Sequence, residues 1–128
     1  MRNIVIFHPA SANLNLSSLI KDYRIIENAN DERIWIENNI GDFVEFIHDD
    51  SVINYYDADE LKYIIETIGE KVCIYIVNFK NIKFLKEISL KIADREDLII
   101  DNDFDLITRG NEFAKLCREK DNWDWADG

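Results

Sequence analysis

The stretch Lys71-Val72-Cys73-Ile74-Tyr75-Ile76-Val77-Asn78-Phe79 constrains the fold more than any other part of this chain. Side chains of a strand point alternately to opposite faces, and here both sets are largely apolar or aromatic. Such a strand must be covered on both sides. The stretch therefore predicts a central strand in a sheet with helices packed on it. Two flanking segments can supply cover. Upstream, Asp57 reads as an N-cap and Glu60 completes a capping box. Leu61, Ile64, Ile65 and Ile68 then share one helical face, and Gly69 stops the helix. Downstream, 81–93 reads as a second helix with Ile82, Leu85, Ile88 and Ile92 on its buried side. Leu98-Ile99-Ile100 follows as a short strand. Residues 72–100 thus read as a βαβ unit, with parallel strands and a right-handed crossover.

The remaining elements are shorter. Residues 3–7 read as a strand ended by His8-Pro9, and Ser17 or Ser18 can cap a short helix. Residues 23–26 read as a further short strand, and 33–37 and 43–47 as a β-hairpin across 38–42. Gly110-Asn111 opens a last helix bearing Phe113, Leu116 and Cys117. The expected architecture is a single acidic domain over 1–128, α/β of mixed α+β type. Its mixed sheet would have about five or six strands with helices packed on it. A length of 128 residues suits one domain, and two halves would each be too small for a good core. Hydrophobic residues make up 47% of the chain, enough for a core and too many for disorder.

Several function classes fall away on composition. Only Ile4 to Phe7 are consecutively apolar near the start, so no secretory signal and no membrane-spanning segment is expected. Cys73 lies in an apolar strand and Cys117 on an apolar helix face, which reads as two reduced core thiols in a cytoplasmic setting. The four glycines at 41, 69, 110 and 128 cannot form a phosphate-binding glycine loop. Neither cysteines nor histidines have zinc-ligand spacing. No cofactor and no metal is expected on these grounds, nor a catalytic set. His8 and His48 each lack, in sequence, the partner that base catalysis needs.

Charge points the other way, toward binding. There are 26 acidic residues against 15 basic ones, a net charge of −11. Such a surface disfavours nucleic acid and anionic membranes and favours basic proteins, although solubility alone also calls for net charge. Acids and tyrosines intermix at His48-Asp49-Asp50 and Tyr55-Tyr56-Asp57-Ala58-Asp59-Glu60. A ring supplies contact area and a carboxylate complementary charge, so Asp49, Asp50, Tyr55, Tyr56 and Asp57 form the candidate partner-binding surface. A second cluster, Asp101-Asn102-Asp103-Phe104-Asp105, has Glu112 where a calcium loop places its bidentate ligand. Leu106 stands where that loop needs glycine, and a strand precedes it instead of a helix, so a calcium loop is not expected. Asp and Asn at a strand end also make turns with their own backbone. The alternatives to a binding protein are a small carboxylate-based enzyme or cation-binding domain using Asp101, Asp103 and Asp105, and a general interaction module. Trp123 and Trp125 are expected to fold back over the domain.

The blocks Asp101-Asn102-Asp103-Phe104, Gly110-Asn111-Glu112-Phe113 and Trp123-Asp124-Trp125 carry a resemblance. In that order they resemble a group of small uncharacterised bacterial proteins, with similarity over about 30–125 that includes Arg33-Ile34-Trp35-Ile36 and Asp59-Glu60-Leu61. The glycine usual after the first block is Asp105 here. In size and acidity the group is similar in type to immunity proteins that accompany bacterial polymorphic toxins. The resemblance implies a toxin inhibitor that occludes the active site of a basic toxin, such as a nuclease.

Overall fold

A computed structural model describes residues 2–28, 30, 32–102 and 106–119. Along the chain run β1 (Arg2–Pro9), β2 (Arg24–Asn28), β3 (Arg33–Glu37), β4 (Phe43–His48), α1 (Ala58–Ile68), β5 (Val72–Phe79), α2 (Ile82–Ile92), β6 (Ile99–Asp101), β7 (Ile107–Arg109) and α3 (Gly110–Glu119). Short 3-10 turns precede β2 at Leu16–Leu19 and α1 at Asp50–Tyr55. The strands form one sheet in the order β2-β3-β4-β5-β1-β6-β7. The class is mixed α+β, and β5, apolar on both faces, holds the middle place.

The pairing differs from the expected mixed sheet: every ladder is antiparallel. β5 and β6 do run in the same direction, but they are not neighbours. β1 lies between them and pairs antiparallel with both, from Arg2↔Phe79 to Pro9↔Val72 on one side and from Val5↔Asp101 to Phe7↔Ile99 on the other. The reason lies in β1 itself. Ile4, Val5, Ile6 and Phe7 are all buried, so this strand too needs cover on both faces and takes an inner position. The βαβ unit is split, and the N-terminal strand fills the slot.

Both faces of the sheet are covered. On one face Ile4, Ile6, Phe46, Val77, Phe79 and Ile100 meet Leu85, Ile88 and Ile92 of α2 and Phe113 and Cys117 of α3. On the other, Val5, Phe7, Ile74 and Ile99 meet Ile64 of α1 and Val52 of the preceding turn. The capping box of α1 forms as its sequence requires: Asp57 Oδ1 accepts from the Glu60 N–H at 2.8 Å and Glu60 Oε1 accepts from the Asp57 N–H at 2.9 Å. Ile65 does not join the buried face expected for it; it is exposed, and Ile64 carries the contact. Strand β7 was not foreseen. It is three residues long, and Asn102 folds it back: its N–H donates to the Leu106 carbonyl (3.0 Å) and its Oδ1 accepts from the Leu106 N–H (3.2 Å). Asp103, Phe104, Asp105 and the tail with Trp123 and Trp125 lie outside the described residues.

Gly110 marks the tightest junction. Its N–H donates to the Leu98 carbonyl at 2.8 Å, and a Cβ there would come within 2.0 Å of the Ala93 carbonyl oxygen. Only glycine lets α3 start this close to the end of α2.

Candidate functional site

Sheet register brings together side chains that are remote in sequence. His8 of β1 stands opposite Cys73 of β5, and His48 of β4 stands opposite Tyr75 of β5. Cys73 and Tyr75 are two residues apart on one strand, so all four side chains share one face. Tyr75 lies between the two imidazoles: its ring is stacked on His8 at 5.8 Å between centroids and tilted against His48 at 5.4 Å. Two clefts open here. One of about 350 Å³ is lined by His8, Leu14, His48, Asp50, Cys73 and Tyr75, among others. The other, of about 260 Å³, is also lined by His48 and Tyr75 and reaches Glu27, Glu32 and Arg33.

His48 is the hub. Its Nε2 is 2.9 Å from Asp50 Oδ1 and 3.4 Å from Cys73 Sγ, and its Nδ1 is 3.4 Å from Glu32 Oε2. Backbone contacts fix the partners. The Ile74 N–H donates to Asp50 Oδ1 at 2.9 Å, and the His48 N–H donates to the Glu32 carbonyl at 3.1 Å. Glu32 holds this place in the left-handed region, with φ 52°, a conformation that costs a non-glycine residue energy. Cys73 therefore does have a histidine within reach, contrary to the expectation from its sequence neighbours. The β4–β5 ladder, which spacing does not disclose, brings them together.

Electrostatics decide what the thiol can do. Burial pushes the Cys73 thiol up from its usual range, and the charges of Asp50 and Glu32 push it further. The thiolate is the nucleophile, so Cys73 is not activated as one, despite its histidine. Tyr75 is shifted upward as well, first by burial, then by Cys73 and by Asp50 and Glu32. His8 is only 4% exposed and burial lowers its pKa. Its Nδ1 is 2.8 Å from the Pro9 carbonyl, which can only accept, so Nδ1 carries the proton. The lone pair of the neutral ring then sits on Nε2, a buried atom with no partner among the described residues.

The residues singled out as partner-binding are a different set, sharing only Asp50 with this cleft. Asp49 caps the 3-10 turn, accepting from the Ser51 N–H and hydroxyl. Asp50 is tied to His48 and Ile74. Tyr56 turns inward: its ring meets Phe7 edge-on at 5.2 Å and its hydroxyl donates to Asp101 Oδ2 at 2.6 Å. Asp57 caps α1. Tyr55 projects furthest into solvent, at 86% exposure, while the exposed Asp50 and Asp57 are held by these local contacts. In the Asp101-Asp103-Asp105 alternative, Asp101 is engaged by Tyr56 and the other two lie outside the described residues. No helix among the described residues is long and apolar enough to cross a membrane. Comparison with family models, with curated proteins and with solved structures finds no match to this chain.

Proposed function

We propose that this chain is an acidic binding protein that docks on a basic protein and occludes its working surface, as an immunity protein does to a basic toxin. One observation carries the reading. Tyr55 is 86% exposed in a segment, 48–60, that holds five carboxylates and no lysine or arginine. Among the described residues no lysine or arginine pairs with Asp49, Asp50, Asp57, Asp59 or Glu60. A large ring held in water by a capped turn, in an acidic segment whose carboxylates pair with no lysine or arginine among the described residues, suits a basic surface with an apolar pocket. The carboxylates would speed encounter over a range of about 8 Å at physiological salt, and the ring would hold the complex. The two free cysteines suit a reducing cytoplasmic setting.

The test is capture of a basic protein from the native host, with the product of the neighbouring gene as the first candidate. Tyr55→Ala should speed dissociation and weaken the complex by about 2 kcal/mol while leaving the melting temperature unchanged. Asp59→Asn should mainly slow association, and less so at high salt. If no basic protein binds and the neighbouring product is not inhibited, the proposal fails. If a partner binds but ignores both substitutions, the docking surface lies elsewhere.

A further inference from the structure

We propose that His48, Asp50 and Cys73 bind one divalent transition-metal ion of the zinc type, in the cleft they share with His8. The site does not depend on the docking reading above. One ligand atom from each of the three residues lies within 4.8 Å of the other two. The His48 Nε2 distances, 3.4 Å to Cys73 Sγ and 2.9 Å to Asp50 Oδ1, are close to the edges of a zinc tetrahedron. Bonds of about 2.0–2.3 Å to nitrogen, oxygen and sulfur give edges of about 3.4–3.6 Å, so small side-chain shifts suffice. One sulfur, one nitrogen and one oxygen donor select a borderline ion over Mg²⁺ or Ca²⁺, which take oxygen ligands.

The surroundings fit that use. A ligating histidine ordinarily gives its other ring N–H to a carboxylate, and Glu32 Oε2 stands 3.4 Å from His48 Nδ1. Asp50 is held by the Ile74 amide, so its carboxylate is pre-positioned. The carboxylates of Asp50 and Glu32 flank His48 and supply negative charge that attracts a cation. On binding, the thiol loses its proton to solvent and its sulfur bonds the metal, while His48 binds through Nε2 as the neutral tautomer whose Nδ1–H faces Glu32. Three protein ligands leave a fourth position open to water. His8 lines the same cleft.

The experiment is a titration of the full chain with Co²⁺, followed by displacement with Zn²⁺. One equivalent of Co²⁺ should give a sulfur-to-cobalt charge-transfer band that Zn²⁺ abolishes. Cys73→Ser should remove the band and Cys117→Ser should keep it. Asp50→Asn, which retains an acceptor for Ile74, and Glu32→Gln should each weaken binding by about tenfold or more. A second measurement needs no variant: Zn²⁺ should protect Cys73 of the unaltered protein from iodoacetamide. Absence of a band, a band that survives Cys73→Ser, or equal alkylation of Cys73 with and without Zn²⁺ would overturn the proposal.

Discussion

At the scale of single residues, His8 shows how a buried group ties stability to pH. Its ring is enclosed, stacked on Tyr75, and bonded to Pro9 through Nδ1. Burial lowers its pKa below the ordinary 6.5, with Arg95 and His48 acting in the same direction and the Pro9 contact and Asp97 against it. The unfolded chain therefore takes up the proton first as pH falls. The stability associated with neutral His8 is complete above about 6.5 and is lost as pH drops from there through the lowered folded value. His8→Phe keeps a ring against Tyr75 and removes the titration. Denaturant unfolding from pH 7.5 to pH 5 should show a decline in the wild type that is shallower in the variant, and equal slopes would refute the assignment. Asp97, whose pKa the Arg95 guanidinium lowers, acts in a separate and more acidic window. The sequence made some residue roles legible and hid others for one physical reason. The capping of α1 by Asp57 and Glu60 is decided within four residues, so it can be read directly. The approach of Cys73 to His48 depends on strand register and has no local signal.

At the scale of elements, the junction at Gly110 is the most exacting. An added methyl group would meet the backbone oxygens of Ala93 at 2.0 Å and Arg95 at 3.0 Å, and neither is a flexible side-chain end. Relief requires moving the start of α3 and with it the contacts of Phe113 and Cys117 on the sheet. Gly110→Ala should cost about 1–3 kcal/mol or more, read as a lower denaturation midpoint. An unchanged midpoint would mean that the α2–β6 connection yields freely. Helices α1 and α2 and strands β3, β4 and β5 were legible because periodicity, caps and turn residues agree over whole segments. Strand β7 was not, because Ile107–Arg109 is too short to show alternation and is made by the Asn102 turn. The slot taken by β1 was not legible either. Its burial on both faces can be read from four apolar residues, but its choice of neighbours is settled only by the whole sheet.

At the scale of the whole molecule, a net charge of −11 on 128 residues sets a repulsive field that folding has to contain. Several exposed pairs, such as Arg118–Asp94 at 2.6 Å, offset it locally, yet exposed pairs contribute little each. Raising salt from about 0.01 M to about 0.15 M shortens the screening length from about 30 Å to about 8 Å. The melting temperature should therefore rise over that range, and a flat or falling response would show that the acids are already balanced by their neighbours. The order of the sheet has a consequence for synthesis. β1 emerges from the ribosome long before β5 and β6, the two strands that enclose it. Until Ile99–Asp101 has been made, a ribbon apolar on both sides has at least one bare flank. Closing such distant pairs is slow, and this is the interval in which the nascent chain is open to proteases and to pairing with its own copies.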